Sequence, residues 1–215
     1  MIAIVNYGAG NIRNVLRALT HLGYDAAITA ERQRILDAEA VVLPGVGAAG
    51  DTVASLHSRG LDDIVRRVIE EDRPFMGVCI GLQVLFETTE EGGLQPCLGI
   101  LPGAVRRLPS GVKVPHMGWN QLRQRAGVAA FNGIPDESNF YFVHSYYVEP
   151  RDPQIVAGTT TYGVEFCSVV VRGNLLATQF HPEKSGPLGL QVYDNFLKST
   201  LRRSAGALRR APVAG

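Results

Sequence analysis

The chain has 215 residues, a length typical of one compact domain. Apolar residues make up 46% of the sequence and charged residues 19%, which is enough apolar material for a full core and too little charge for a disordered chain. With a net charge of +1 and no apolar run near the roughly 20 residues of a membrane span, neither nucleic acid nor a membrane is expected as a partner.

The first ninety or so residues alternate strand and helix patterns. Short apolar runs predict buried strands at residues 2–5, 26–29, 41–43 and 74–78. Apolar residues at helical spacing predict helices at residues 12–22, 52–58 and 61–71, with a further helix after Cys79. This alternation is typical of βαβ units, whose strands form a parallel sheet.

The second half of the chain is richer in strands. Short turns separate strand-like stretches at residues 103–108, 112–122, 139–148, 155–162, 165–173 and 175–180. Residues 171–176 have the pattern of a hairpin tip. A last helix is predicted at residues 188–201, inside one domain over residues 1–201, and residues 202–215 are expected to form a flexible tail. The sum is a three-layer α/β domain with a mixed, mostly parallel central sheet.

Cys79 lies where a predicted strand turns into a predicted helix, with Gly77 and Gly81 two residues to either side. The central residue of such a turn holds a sharp backbone conformation, and its neighbours must be small because the backbone packs closely on itself. The bend directs the side chain to the carboxyl edge of the sheet, and the helix N-terminus there favours an anion. The pattern predicts a thiolate nucleophile, although by itself it fits an ordinary buried cysteine equally well.

A cysteine nucleophile needs a base and a group that orients the base. Two of the five histidines fall in helical patterns, and two, His116 and His144, fall within strands. His181 follows a predicted strand directly, and Pro182 prevents a helix from starting there. In an extended chain His181 and Glu183 face the same side, so Glu183 can fix the imidazole tautomer. We predict a Cys79–His181–Glu183 set, rather than a surface His–Glu pair.

An oxyanion needs backbone donors near the nucleophile. The N–H of Ile80 is one candidate, since it belongs to the unpaired first turn of a helix. A second donor can come from the glycine-rich loop Leu43–Gly50, where Gly47 permits an inverted peptide. The loop alone also fits a plain glycine turn.

The three cysteines have the spacing of neither a zinc site nor a disulfide framework. The sequence therefore predicts a protein of the reducing cytosol and no bound metal ion. The N-terminal stretch "MIAIVNYGAGN" lacks the basic leader and cleavage site of a signal peptide. It also starts like a dinucleotide fingerprint, but Arg13 occupies the third glycine position. A cytoplasmic enzyme without a cofactor is the resulting expectation.

These motifs together resemble those of the class I glutamine amidotransferases. "PFMGVCIGLQVLFE" is similar to their nucleophile motif, "QFHPEKS" to their His–Glu motif and "LPGVGAAGD" to their oxyanion loop. Three further stretches, "VNYGAGNIRNVLRAL", "VPHMGWNQL" and "NFYFVHSYYV", resemble glutaminase subunits of imidazole glycerol phosphate synthase, in histidine biosynthesis. The resemblance extends to about Leu201 and implies the fold of that family, with a flavodoxin-like first half and a strand-rich second half.

The resemblance implies hydrolysis of glutamine to glutamate and ammonia through a thioester on Cys79. Donors near Gly47 and Ile80 would stabilise the oxyanion. Other residues would hold the glutamine, namely Gln83, Ser145 and Tyr146. Ammonia would pass to a separate (β/α)8-barrel cyclase, which makes imidazole glycerol phosphate and an aminoimidazole carboxamide ribonucleotide. The implied interface residues are Asn11, Asn14, Trp119, Tyr141 and Lys184.

Three alternatives remain open from the sequence. One is the glutaminase of another class I amidotransferase, such as the one in pyridoxal phosphate synthesis. Another is a cysteine hydrolase or peptidase on a similar fold. The third is a binding module that has lost catalysis.

Overall fold

The computed structural model describes the backbone of residues 1–8 and 12–208, and the side chains of residues 1–8 and 12–201. Its helices are α1 (Ile12–His21), α2 (Arg32–Leu36), α3 (Ala49–Ser58), α4 (Asp62–Glu70), α5 (Ile80–Gln83) and α6 (Gly186–Leu208). Its strands are β1 (Ile2–Val5), β2 (Ala26–Thr29), β3 (Ala40–Gly45), β4 (Phe75–Cys79), β5 (Thr88–Thr89), β6 (Gln95–Pro96), β7 (Gly103–Arg107), β8 (His116–Gln124), β9 (Ser138–His144), β10 (Tyr146–Pro150), β11 (Val156–Tyr162), β12 (Val164–Arg172) and β13 (Leu175–Thr178).

Five neighbouring strands form the parallel part of the central sheet, in the order β2-β1-β3-β4-β13. Four of them, β1, β3, β4 and β13, are buried along their full length, as their apolar sequences require. Gly45 at the end of β3 pairs with Cys79 at the end of β4, and Thr178 at the end of β13 pairs with Val78. Three strand ends therefore meet at one edge, where open α/β sheets bind their ligands.

Beyond β13 the sheet becomes largely antiparallel. The order continues β12-β10-β7-β5-β6, and within the described residues β11, β8 and β9 extend sideways from β12. β8 and β9 form an antiparallel pair in which His116 lies opposite His144. After Ser145 the chain leaves this pair and continues as β10, which joins β7 and β12. The break at Ser145 places an irregular piece of backbone beside the ends of the parallel strands.

The predicted α/β fold with a mixed central sheet is confirmed. The hairpin tip is confirmed too, since Arg172 at the end of β12 pairs with Leu175 at the start of β13. Residues 139–148 do not form one strand as predicted, because Ser145 separates β9 from β10. The strand predicted from Val112 begins at His116 instead. The sequence did not reveal α2, β5 and β6, since two to five residues are too few to show a period.

The last helix is longer than predicted. α6 runs through Leu201 to Leu208, and residues 209–215 lie outside the described part of the chain. The boundary between a domain at 1–201 and a flexible tail remains a prediction. No helix in the described ranges is both long and apolar enough to cross a bilayer.

Candidate active site

Cys79 occupies a strained bend between β4 and α5. Its backbone has φ 55° and ψ −107°, in the left-handed half of conformational space that side chains rarely enter. A Cβ at Gly77 would lie 2.5 Å from the carbonyl oxygen of Gly81, and a Cβ at Gly81 would overlap the carbonyl oxygen of Leu43. The predicted reason for both glycines, close backbone packing, is therefore visible.

The helix after the bend is shorter than predicted. α5 has four residues and ends at Gln83, and the apolar side chains after it, from Val84 to Phe86, are buried in a turn. A single turn has little macrodipole. The features of this helix end that can act on an anion are its first N–H groups, including that of Ile80, which have no intrahelical acceptor.

His181 follows β13 and is fixed from two sides. Its backbone N–H donates to the carbonyl of Tyr141 at 3.0 Å, and its own carbonyl accepts from the Ser185 hydroxyl at 2.7 Å. Its ring Nδ1 lies 2.8 Å from Oε1 of Glu183, and both side chains are almost fully buried. The expected pairing of His181 with Glu183 is present, but the extended chain predicted there is wrong, because Pro182–Lys184 form a 3₁₀ turn that brings Glu183 back to the ring. Glu183 assigns the proton to Nδ1.

The charges around His181 suit a thiolate–imidazolium pair. Burial lowers the pKa of His181, but the negative charges of Cys79 and Glu183 outweigh burial and raise it to about 9. Its Nε2 is buried and makes no hydrogen bond of ordinary geometry within the described residues. Below pH 9 the ring is thus an imidazolium whose Nε2 proton is available to a group at Cys79.

A cavity of about 340 Å³ opens beside Cys79. Its lining includes seven of the predicted site residues: Cys79, His181, Gly47, Ile80, Gln83, Ser145 and Tyr146. Glu183 does not line the cavity but contacts Nδ1 on the far side of the imidazole ring. Gly47 has φ 98°, a conformation that supports glycine at this position of the loop after β3. The structure thus gathers parts of four separate sequence motifs around one small space.

Gln83 is held by hydrogen bonds within the protein. Its Nε2 donates to the carbonyl of Tyr146 at 2.8 Å and to Oε1 of Gln179 at 3.0 Å. Its Oε1 is buried and has no hydrogen-bond partner among the described residues. The side-chain amide of Gln83 is therefore fixed in orientation within the wall of the cavity.

Two residues of the site were missed by sequence reasoning. Gln179 lies with its Nε2 3.6 Å from the Cys79 sulfur. It precedes His181 by two residues in extended chain, so period two could have placed it on the same side. Glu91 also lines the cavity, and its Oε2 accepts from the N–H of Ala49 at 2.7 Å. Glu91 sits in a turn after the two-residue β5, where no sequence pattern marks it.

Three of the predicted interface residues form one surface cluster. Trp119 is 57% exposed, and its ring contacts that of Tyr141 edge to face at 6.1 Å. The Lys184 ammonium lies over the Tyr141 ring, 5.8 Å from its centre, and Lys184 also lines the cavity. Asn14 is half-buried on α1, which contacts the turn that carries Lys184. Asn11 lies outside the described residues.

Comparison with known proteins gives a consistent result. Residues 3–200 match the family described as Glutamine amidotransferase class-I. A protein named imidazole glycerol phosphate synthase subunit HisH, from Dehalococcoides mccartyi strain CBDB1, is 56% identical over 94% of this chain and 98% of its own length. The subunit of the same name from Moorella thermoacetica is 52% identical over 95% and 97%. The structure of PurLQS from Thermotoga maritima shares the fold, with a TM-score of 0.73 at 20% identity over 92% of this chain and 97% of the other.

Proposed function

The chain belongs to the class I glutamine amidotransferase family, and we propose that it is the glutaminase subunit of imidazole glycerol phosphate synthase, in histidine biosynthesis. The proposal rests above all on the buried Cys79–His181–Glu183 set beside a cavity. Relatives of the same name cover nearly the whole chain at 45–56% identity. The reaction releases ammonia from L-glutamine and leaves glutamate.

The cavity suits glutamine in size and in its polar groups. Small-molecule sites are concave, with a few fixed polar groups that set the orientation of the ligand. Glu91 contributes a carboxylate to the lining and is a fitting partner for the α-ammonium group. Gln83 contributes a side-chain amide of fixed orientation, and the backbone at Ser145 and Tyr146 contributes further hydrogen-bonding groups.

In the first half-reaction the Cys79 thiolate attacks the side-chain carbonyl carbon of glutamine. Negative charge develops on the carbonyl oxygen, and the N–H groups of Ile80 and of the peptide near Gly47 stabilise it. The carbon–nitrogen bond then breaks as His181 donates its Nε2 proton to the departing nitrogen. Ammonia leaves, and a γ-glutamyl thioester remains on Cys79.

In the second half-reaction water hydrolyses the thioester. Neutral His181 accepts a proton at Nε2 from the attacking water, and the hydroxyl oxygen bonds to the acyl carbon. The carbon–sulfur bond breaks, which releases glutamate and restores the thiolate–imidazolium pair. Throughout, Glu183 accepts the Nδ1 hydrogen bond and keeps the ring facing Cys79.

Ammonia is then used by a partner. The partner of this subunit is a cyclase, which we propose to be a (β/α)8 barrel that meets the cluster of Trp119, Tyr141 and Lys184 at the mouth of the cavity. Exposed aromatic residues of this kind are enriched at protein interfaces. Asn14 extends the proposed interface along α1, Asn11 is also proposed as an interface residue, and the complex is proposed to be a cytoplasmic heterodimer.

The test is glutamate production by the purified chain alone, with the cyclase, and with the cyclase and its nucleotide substrate. We expect a poor glutaminase alone and a rate at least ~10²-fold higher in the complete mixture, because one oxyanion donor is typically worth ~10²–10³-fold and the glycine loop before α3 can withhold it. Equal rates in all three mixtures would contradict the coupled function. Activity with a pyridoxal phosphate synthase instead, or on peptides or esters, would favour the corresponding alternative enzyme.

A further inference from the structure

Two buried histidines lie next to the cavity but outside the catalytic set. His116 begins β8 and His144 ends β9, and the two residues face each other across the strand pair. Nδ1 of His116 lies 3.0 Å from Nε2 of His144. The His116 ring also stacks on Tyr162, with centres 4.0 Å apart, and on Phe142. The His116 ring is therefore held by stacking, and the His144 ring is held by its hydrogen bond to His116.

Their hydrogen bonds allow one assignment of protons. The carbonyl of Tyr146 can only accept, and His144 Nδ1 lies 2.9 Å from it, so this nitrogen carries a proton. Nε2 of a neutral His144 is then an acceptor, and His116 Nδ1 must donate to it. Nε2 of His116 in turn accepts from the amide of Asn120 at 3.2 Å, whose other hydrogen goes to the carbonyl of Thr161.

The rings stay neutral at physiological pH. Burial lowers the pKa of His116 to about 4 and that of His144 to about 3. An additional proton on His144 would place two N–H groups against each other across the 3.0 Å contact, and one on His116 would face the amide N–H of Asn120 at 3.2 Å. The direction of the chain, from Asn120 to Tyr146, is therefore fixed.

The same carbonyl of Tyr146 also anchors the active site. It accepts from Gln83 Nε2 at 2.8 Å, and this nitrogen also donates to Gln179, whose own Nε2 faces the Cys79 sulfur. One hydrogen-bonded chain thus runs from β8 to the nucleophile. Among the described residues, the side-chain acceptor that this chain leaves without a partner is the buried Oε1 of Gln83, a residue that lines the cavity.

We infer that His116 and His144 are positioning residues for glutamine hydrolysis, an inference that rests on the proposed function. His144 orients the carbonyl of Tyr146, and His116 orients His144. The carbonyl in turn fixes the side-chain amide of Gln83, which is part of the wall of the cavity that receives glutamine. Neither histidine touches the reacting atoms, so their effect should fall on the binding of glutamine more than on turnover.

The test is steady-state glutaminase kinetics of the complex with cyclase and nucleotide. H144F keeps an aromatic ring but removes both hydrogen bonds, so we expect KM for glutamine to rise about fivefold to tenfold, with a smaller change in kcat. H144N should restore KM to within about threefold of the wild type, because its amide N–H can replace Nδ1 as the donor to Tyr146. H57F is the matched control at an exposed histidine and should leave KM unchanged.

A second variant keeps the inference testable if H144F does not fold. H116F retains the stacking on Tyr162 and Phe142 and leaves the His144–Tyr146 bond in place, so a KM increase of roughly twofold to fivefold is expected. The inference would be overturned if both His144 variants had the same KM as the wild type. If H116F is the only variant that folds, an unchanged KM in H116F would overturn it. An inactive wild-type complex would instead overturn the proposed function.

Discussion

The parallel half of the sheet and the β8–β9 pair serve the same cavity in different ways. β3, β4 and β13 end at one edge and supply the glycine-rich loop proposed to bind the oxyanion, Cys79 and the approach to His181. The β8–β9 pair supplies buried hydrogen bonds to the backbone at Tyr146 and an exposed aromatic surface around Trp119. We propose that the parallel half performs the chemistry, while the strand pair holds the substrate and meets the partner.

The largest effect is expected at Cys79. C79A or C79S should abolish glutamine-dependent synthesis by the complex and spare synthesis from added ammonium salts, because the thiolate serves only ammonia release. Product formation with each nitrogen source, in a complex of normal size on gel filtration, measures both rates. If the ammonium-dependent rate is lost as well, the division of labour between the two subunits is wrong.

The parallel half was also the half that the sequence predicted well. Cys79 and His181 each follow an apolar run directly, so local pattern alone placed them at a strand end. Their mutual approach depends on β4 and β13 being neighbours, although about one hundred residues separate them in the chain. Single-sequence patterns carry no information on such pairing, and here the resemblance to a family supplied it.

The strand pair was predicted less well, for a physical reason. Ser145 interrupts what reads as one continuous strand, since the apolar alternation runs on across residues 139–148. The proposed roles of His116 and His144 depend on a cross-strand register that the sequence does not show. The sequence predicted Gln83 as a substrate ligand but not the hydrogen bonds that orient its side chain. Glu91 lies in a turn with no period at all.

The second prediction separates the proton carrier from its support. H181A should lower kcat by ~10²–10⁴-fold, the usual contribution of a general acid–base group, and E183Q should lower it less. Glu183 is also one of the charges that raise the pKa of His181, so in E183Q this pKa falls. Since ammonia release needs protonated His181, the high-pH decline of the rate should move from near pH 9 to lower pH.

Rate measurements over pH 6–10 on the folded E183Q complex check both parts. A larger loss in E183Q than in H181A, or an unmoved alkaline limb, would contradict the assigned roles. H144F offers a contrast from the strand pair, since its effect should appear in KM.

The third prediction concerns selectivity among the three thiols. A glutamine analogue with an electrophilic carbon should label Cys79 and neither of the others in the complex with cyclase and nucleotide. Burial, with the charge of Glu91, raises the pKa of Cys97 to about 11, and burial raises that of Cys167 to about 12, so both remain thiols at pH 7–8. Peptide mapping after labelling gives the result, and equal labelling of all three would remove the argument for a special bend at Cys79.

The last prediction concerns Tyr193, where α6 packs behind the proposed catalytic set. Tyr193 is fully buried, and burial together with the nearby carboxylate of Glu183 raises its pKa well above the usual value. Glu183 uses Oε1 for His181, and its buried Oε2 makes no other hydrogen bond of ordinary geometry among the described residues. The Tyr193 hydroxyl is also buried without a hydrogen bond of ordinary geometry among the described residues, and we propose that it steadies the second oxygen of Glu183.

Y193F should lower kcat about threefold to tenfold with little change in KM. A hydrogen bond to a charged group contributes roughly 1.5–3 kcal/mol, but Oε1 still holds His181 when the hydroxyl is removed, so part of the effect is expected. Y24F is a matched control, because Tyr24 donates to Asp194 on the same helix at 2.9 Å and takes no part in the site. Steady-state kinetics and thermal melting of both complexes separate orientation from stability. If both variants lost a similar amount of stability and Y193F kept its kcat, Tyr193 would be a packing residue. Glu183 would then orient His181 without help from Tyr193.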